Sequence, residues 1–237
     1  MDSIPQKTAT MNWAEVGENL NKKGYSLVPS FLTHEECDSL AALYNNNELY
    51  RKTVVMERYN YGLGEYRYFD YPLPDMLSSI RREVYPYLSA VANDWMKALR
   101  IDKHFPAQHE ALLKQCSAVN QVKPTALILK YGTGGFNTLH QDLYGDVYFP
   151  MQAVIMLSDA GKDYTGGEFV LVEQMPRAQS KAIVLTPKKG DMLIFTTNFR
   201  PAKGSRGYYR ANMKHGVSAV HSGQRMALGI IFHDAEK

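Results

Sequence analysis

Residues 131–142 read YGTGGFNTLHQD and end in an imidazole and a carboxylate two positions apart, His140 and Asp142. In an extended strand, residues i and i+2 point to the same face, so both side chains can reach one point. A neutral nitrogen ligand beside an anionic oxygen ligand suits iron(II), manganese or zinc. The stretch therefore predicts a β-strand that carries part of a metal site, and the chain must supply at least one more ligand.

The composition is that of an ordinary globular protein. The chain has 237 residues, 45% of them hydrophobic and 22% charged, with a formal net charge of +3, which allows one domain with a substantial core. No apolar run approaches the roughly 20 residues of a membrane span, and the first residues lack a signal-peptide core. Cys37 and Cys116 predict buried, reduced thiols. We therefore expect a cytoplasmic protein with no membrane partner, and a nuclear location stays open.

The pattern of the chain changes near residue 124. Residues 1–10 predict a flexible leader, and residues 11–123 predict mainly helices, with a capping box at Thr33 to Glu36. Later β runs alternate with glycine and proline turns, as in sandwiches and barrels: 125–131, 150–157, 167–173, 181–186, 191–197, 212–220 and 224–232. We predict an α+β fold with one domain over residues 11–237, in which N-terminal helices pack on one face of the β core of residues 124–237.

His215 is the best placed of three later histidines to complete the metal site. A hairpin folded about Ser222-Gly223 would put His215 opposite Gly229 and on the same face as Arg225. An interior arginine needs an anion, because burying an unpaired charge is costly. Along the strand, Arg225 would lie four residues from Gly229, the residue opposite His215, which is roughly 13 Å at ~3.3 Å per residue. That gap fits an extended five-carbon diacid between a metal at His215 and the guanidinium of Arg225.

Two segments combine basic and aromatic side chains. Residues 51–73 interleave tyrosines with Arg58 and Arg67, and predict either a hairpin packed on the core or an edge that faces the substrate. Residues 199–210 predict a basic loop with Arg206, Tyr208 and Arg210. Such a loop could contact a phosphate backbone, an acidic peptide or an anionic small molecule, or be an ordinary solvated loop. These five residues are the candidates for substrate contact.

The set His140, Asp142, His215 and Arg225 resembles the motif of iron(II)- and 2-oxoglutarate-dependent oxygenases. The run Gly166 to Phe169 is similar to their prolyl-hydroxylase-like branch. Over nearly the whole chain, the sequence resembles a family of small nucleic-acid oxygenases assigned to oxidative demethylation of damaged DNA. The matching segments are GLGEY at 62–66, YPLP at 71–74, HQDLYG at 140–145, GGEFV at 166–170 and GYYR at 207–210.

The resemblance implies a double-stranded β-helix, or jelly roll, with metal and cosubstrate inside one mouth. It implies Fe(II) bound by His140, Asp142 and His215, and 2-oxoglutarate bound by Arg225 and Tyr131. The implied enzyme is a dioxygenase that uses O₂, with ascorbate as a reductant. It would hydroxylate or oxidatively demethylate a substrate and form succinate and CO₂.

Several functions remain open at this point. Demethylation of nucleic acid competes with hydroxylation of a protein side chain, prolyl residues included, or of a small molecule. Leu129 stands where the alkylation-repair enzymes have an asparagine, and this difference argues against repair of alkylated bases. Other classes are a non-catalytic binding module on the same β scaffold and a zinc hydrolase. The presence of all three ligands and of Arg225 favours the oxygenase, and the sequence predicts no oligomeric state.

Overall fold

The helices lie in the N-terminal half of the chain. A computed structural model describes residues 2–236. In that range the α-helices are α1 Ile4–Thr10, α2 Trp13–Lys23, α3 His34–Ala42, α4 Asp75–Ala98 and α5 His109–Ala118. Short 3-10 helices span Leu43–Asn45, Asn47–Leu49 and Met56–Tyr59. The predicted capping box opens α3, where the Thr33 side chain accepts a hydrogen bond from the backbone of Glu36.

The strands are short, and most follow residue 124. The first four are β1 Tyr25–Val28, β2 Tyr50–Val55, β3 Gly62–Leu63 and β4 Glu65–Phe69. The others are β5 Leu127–Tyr131, β6 Phe136–His140, β7 Met151–Met156, β8 Tyr164–Gly166, β9 Phe169–Gln174, β10 Lys181–Leu185, β11 Met192–Thr196, β12 Phe199–Gly204, β13 Gly207–Val217, β14 Val220–Gly223 and β15 Arg225–Ile231. All seven predicted β runs contain a strand.

Residues 4–10 are helical, which contradicts the predicted flexible leader for this part of the chain. They form α1, in which the backbone nitrogen of Ser3 donates to Gln6 Oε1 at 2.8 Å. Ile4 and Thr8 are buried, and the Trp13 indole nitrogen donates to the carbonyl of Thr8 at 2.9 Å. A helix this short depends on tertiary packing for its stability, which the local sequence pattern does not reveal.

Two antiparallel sheets form the β core. One has the order β1-β11-β7-β15-β5-β4-β2, and the other has the order β10-β9-β13-β6-β3, with β12 paired to β13. Alternate residues of the first sheet face opposite ways: Ile155 and Leu228 pack with the helices, whereas Val154 and Ala227 pack towards the second sheet. The predicted α+β fold, with helices on one face of a jelly-roll core, is confirmed.

The predicted hairpin between β13 and β15 does not form. β13 pairs with β9, β6 and β12, whereas β15 lies between β7 and β5 in the other sheet. His215 therefore lies opposite His140 and Leu171 rather than opposite Gly229. Between them, β14 leaves both large sheets and pairs with β8. The Ser222-Gly223 segment thus connects two sheets, a long-range choice that a local turn signal cannot specify.

The basic segment 199–210 is a pair of strands rather than a loop, so that prediction is also wrong. β12 pairs with the first half of β13, with Phe199 opposite Asn212 and Gly204 opposite Gly207. Pro201 makes the segment look irregular in sequence. It is tolerated because β12 pairs on one side only, and an edge strand can lack a backbone donor.

Neither membrane helices nor disulfides are found in the described residues. Within residues 2–236, no helix is both long and apolar enough to cross a membrane. Cys37 and Cys116 are buried free thiols, as predicted. Burial raises the pKa of Cys37 to about 11, so this thiol stays protonated at neutral pH.

Candidate metal centre and cosubstrate cavity

The side chains of His140, Asp142 and His215 converge on one point. One potential ligand atom from each residue lies within 4.8 Å of the others. Asp142 Oδ2 is 3.3 Å from His215 Nε2, and Asp142 Oδ1 is 3.6 Å from His140 Nε2. Three donor atoms at these separations could bind a single ion between them.

Sheet pairing positions the two imidazoles. His140 is the last residue of β6, and His215 lies directly opposite it on β13. Cross-strand neighbours are close in space, and the two ring centroids are 4.2 Å apart. Asp142 lies beyond the end of β6, so strand pairing does not hold it. Its oxygens instead accept hydrogen bonds from the Tyr144 hydroxyl at 2.7 Å and from Gln152 Nε2 at 2.9 Å.

The donor set fits a divalent transition metal. His140 Nδ1 lies 2.7 Å from the carbonyl oxygen of Thr138. A carbonyl can only accept, so Nδ1 carries the proton and the lone pair of Nε2 is directed towards Asp142. His215 Nε2 faces the same carboxylate. Two nitrogen donors and one carboxylate match the facial set that binds Fe(II) and leaves three positions open.

The protonation state also suits a metal. Burial by itself would raise the pKa of Asp142, but the adjacent His215 and His140 and the hydrogen bond from the Tyr144 hydroxyl lower it by more. The pKa of Asp142 therefore lies well below its usual range. Burial lowers the pKa of His215. At neutral pH the centre thus presents a carboxylate and a neutral His215 imidazole, the forms that bind metal.

Arg225 is a buried cation without an anion. It is 2% exposed; Nε donates to the carbonyl of Gly167 at 2.8 Å, and Nη2 lies 3.6 Å from Met156 Sδ. It makes no salt bridge with any of residues 2–236. Tyr131 is its cross-strand partner, with the guanidinium 5.5 Å from the ring centroid. An uncompensated buried charge marks a place where an anionic ligand would be stabilised.

One cavity contains all five predicted metal and cosubstrate residues. It has a volume of about 380 Å³ and lies between the two sheets. His215 comes from one sheet and Arg225 from the other, so they share the cavity although they do not share a hairpin. We call the exposed or partly exposed aromatic and basic residues of the lining its outer wall: Arg51, Lys52, Tyr59, Tyr61, Tyr66, Tyr68 and Tyr144.

Arg67, a predicted substrate contact, does not line the cavity. Its guanidinium donates to the carbonyl of Tyr44 at 2.9 Å and to Asn47 Oδ1 at 2.8 Å, and it lies over the Tyr44 ring. Tyr66 and Tyr68 flank it on β4 and line the cavity. Successive side chains of a strand point to opposite faces. Since Tyr66 and Tyr68 face the cavity, Arg67 between them points away from it.

The other predicted substrate residues do not line the cavity either. Arg58 is exposed on the 3-10 helix Met56–Tyr59. Arg206, Tyr208 and Arg210 are exposed on the hairpin of β12 and β13, and the Arg210 guanidinium lies 4.9 Å from the centre of the Phe199 ring. The prediction treated this segment as an irregular loop. In the structure it is a paired hairpin, and these three side chains lie outside the cavity.

Three cavity residues were missed at the level of sequence. Arg51 lies with its guanidinium 4.7 Å from the Tyr68 ring centroid, next to a register irregularity in β2. Tyr144 is two residues beyond Asp142, a spacing that could have indicated it. Gln152 is the single polar residue in the run MQAVIM of β7, and that isolation was a usable signal.

Comparisons with known proteins agree with this geometry. A family described as "Oxygenase, catalysing oxidative methylation of damaged DNA" matches residues 64–235. The uncharacterized protein Rv2227 of Mycobacterium tuberculosis strain H37Rv is 46% identical over 167 residues, which cover 70% of this chain and 72% of the relative.

Solved structures share the fold at low sequence identity. A prolyl-4-hydroxylase from Pseudomonas putida has 16% identity and a TM-score of 0.53, covering 92% of this chain and 97% of the other. An oxidoreductase of the 2OG-Fe(II) oxygenase family from Burkholderia pseudomallei has 16% identity and a TM-score of 0.55, with coverages of 95% and 94%. The motif-based resemblance is thereby confirmed. The chain belongs to the Oxygenase-NA family and is an oxygenase with the jelly-roll fold of 2-oxoglutarate- and iron(II)-dependent enzymes.

Proposed function

We propose that the protein is an Fe(II)- and 2-oxoglutarate-dependent dioxygenase that hydroxylates or oxidatively demethylates its substrate and forms succinate and CO₂. The observation that carries the proposal is the triad of His140, Asp142 and His215 in one cavity with the unpaired Arg225. Bound iron and cosubstrate would supply the oxidising power with O₂, and ascorbate would serve as reductant. The cytoplasmic location is part of the same proposal.

The three triad residues would hold the metal. His140 and His215 would each offer Nε2, and Asp142 would offer a carboxylate oxygen. The carbonyl of Thr138 fixes the tautomer of His140, which keeps that nitrogen available without a rearrangement. The chain's contribution is a preformed set of ligands that faces the interior of the cavity.

Arg225 and Tyr131 would hold the distal carboxylate of 2-oxoglutarate. The bond from Arg225 Nε to Gly167 fixes the plane of the guanidinium and leaves its terminal nitrogens to bind a carboxylate. Burial raises the pKa of Tyr131 to about 12, so its hydroxyl keeps its proton. Asn137 lies 3.5 Å from that hydroxyl and can donate to its oxygen. Tyr131 is then free to donate its proton to the carboxylate.

Apolar side chains form part of the cavity wall. Leu129, Val154 and Phe195 line the cavity, and Val154 and Phe195 are nearly fully buried. Water is excluded from such a surface, which strengthens the attraction between the guanidinium and a bound carboxylate.

Nucleic acid is the substrate class that the observations favour. The description of the family names damaged DNA, and the outer wall of the cavity offers aromatic rings and cations. Tyr59 and Tyr61 are about half exposed, and their rings stack at 5.5 Å. Such rings can stack on unpaired bases, while Arg51 and Lys52 can neutralise phosphate.

Hydroxylation of a peptide or of an anionic small molecule is the alternative. The prolyl-4-hydroxylase of Pseudomonas putida shares the fold. The exposed apolar pair Leu63 and Phe136 lies on β3 and β6, where β3 ends its sheet with one free edge. An extended peptide can add to such an edge.

The test measures succinate with purified protein, Fe(II), 2-oxoglutarate and ascorbate. Wild type should form succinate, and His140→Ala should not. A methylated single-stranded oligonucleotide should raise the rate and release formaldehyde, whereas the unmodified oligonucleotide should not. Equal succinate from wild type and His140→Ala would refute the dioxygenase, and stimulation by peptides alone would refute the nucleic-acid substrate.

A further inference from the structure

Gln152 is a buried amide in an otherwise apolar strand. It belongs to β7, where every residue of the run MQAVIM is buried, and it is 4% exposed. A buried amide is costly unless its donors and acceptor find partners. Its position therefore calls for a specific role in the part of the cavity that it faces.

The amide nitrogen of Gln152 contacts two of the three triad residues. Nε2 lies 2.9 Å from Asp142 Oδ2 and 3.2 Å from His215 Nε2. Only the NH₂ end of the amide can face a carboxylate, because the oxygen would repel it. One hydrogen of this NH₂ group thus has the carboxylate as its acceptor, and the other can be donated to His215 when Nε2 carries the lone pair.

Asp142 depends on side chains rather than on the sheet for its orientation. Tyr144 donates to Oδ1, and Gln152 donates to Oδ2. With both oxygens engaged from different parts of the chain, rotation of the carboxylate is restricted. Each oxygen still keeps a second lone pair that can be given to a metal.

We propose that Gln152 is a positioning residue that sets the metal ligands before the metal binds. Its amide holds Asp142 and His215 at ligating separation, and on metal binding it releases His215 Nε2 and keeps Asp142 Oδ2. The inference rests on the metal ligands assigned in the proposed function. It adds a residue from the opposite sheet, since β7 lies in the seven-stranded sheet and His215 in the other.

Two physical effects support this role. Without an N–H donor between them, the carboxylate and the lone pair of His215 would repel each other, and Asp142 could rotate away. Donation to His215 Nε2 also favours the tautomer with its proton on Nδ1. That tautomer presents its lone pair at Nε2, the form that a metal requires.

The experiment titrates metal-free protein with Mn(II) by calorimetry and records the visible absorption of the Co(II) complex. Gln152→Met has similar length but no donor. We expect Mn(II) to bind about 10- to 100-fold more weakly, the usual effect of losing a residue that orients a ligand, and the Co(II) spectrum to change. Gln174→Met is the matched control, because Gln174 is exposed at the end of β9; it should bind Mn(II) like wild type.

The outcomes separate this inference from the proposed function. Wild-type binding that Gln152→Met leaves unchanged would overturn the role of Gln152 alone. If Gln152→Met does not fold, Gln152→Asn replaces it, since the shorter amide cannot reach both partners and should weaken binding equally. Undiminished binding by Gln152→Asn would then overturn the inference. Failure of the wild type to bind any Mn(II) or Fe(II) would overturn the proposed function together with it.

Discussion

An arginine inside the cavity and one outside its wall have different partners. At the inner end, Arg225 is buried with a carbonyl and a sulfur as partners and no carboxylate. Beside the outer wall, Arg67 has two oxygen acceptors and an aromatic ring from the protein itself. An arginine that the fold leaves unsatisfied indicates a ligand, whereas one that the fold satisfies indicates structure. In sequence, Arg225 was predicted as the cosubstrate contact and Arg67 as a candidate substrate contact.

The largest expected effect tests this difference directly. Arg225→Leu should raise the 2-oxoglutarate concentration needed for half-maximal succinate formation about 100-fold. The reason is that charge-assisted hydrogen bonds contribute ~1.5–3 kcal/mol, and 1.4 kcal/mol corresponds to a factor of ten.

Arg67→Leu is the control for Arg225→Leu. It should leave the 2-oxoglutarate requirement unchanged but lower the free energy of unfolding, because it removes two hydrogen bonds. If the two substitutions raised the 2-oxoglutarate requirement equally, the assignment of Arg225 to the cosubstrate and of Arg67 to the structure would be wrong.

Two histidines outside the triad, His109 and His233, are also buried and can be compared with the histidines of the triad. Burial, with the nearby Arg81 charge, lowers the pKa of His109 and of His233 to about 3. His109 Nε2 donates to the carbonyl of Phe232, and His233 Nδ1 accepts from the backbone nitrogen of Phe149. These are buried structural histidines that stay neutral in the fold, and each has one ring nitrogen bonded to the backbone.

Acid should therefore destabilise the fold through these two residues. Unfolded histidine has a pKa near 6.5, so between about pH 6.5 and pH 3 the unfolded state binds more protons than the folded state. Stability is present above pH 6.5 and falls by ~1.4 kcal/mol per pH unit for each histidine as the pH drops. Chemical unfolding of metal-free protein across this range measures the slope. His109→Gln should reduce the slope by ~1.4 kcal/mol per pH unit, the share of one histidine, and an unchanged slope would contradict the assignment.

The smallest expected effects concern the outer wall. Arg51→Gln should raise the KM for a methylated single-stranded oligonucleotide by ~10-fold, because one charge-assisted hydrogen bond contributes at least ~1.5 kcal/mol. The double variant Arg206→Ala with Arg210→Ala should change the KM by less than about twofold, since exposed charges away from the cavity are screened by salt. A larger rise in KM for the double variant than for Arg51→Gln would indicate that the hairpin of β12 and β13, rather than the outer wall, contacts the substrate.

Much of the catalytic end could be predicted from the sequence because its signals are local. The HxD spacing predicted that His140 and Asp142 lie together, although Asp142 lies beyond the end of β6. The alternation of short β runs indicated the two-sheet core. The outer end could not be predicted in the same way. Whether Arg67 or Tyr66 faces the cavity depends on which face of β4 is covered, and a pattern of alternating residues does not say which face that is.

The sequence by itself determined the α+β class, and it predicted the residue types of the metal site and the interior arginine. Tertiary structure alone decided that His215 and Arg225 come from opposite sheets, that α1 packs on the core, and that Gln152 contacts two ligands. The physical reason is the separation along the chain of the residues that interact. The two-residue repeat of a strand is written in neighbouring residues, whereas strand partners and burial are decided by distant segments that compete for the same core.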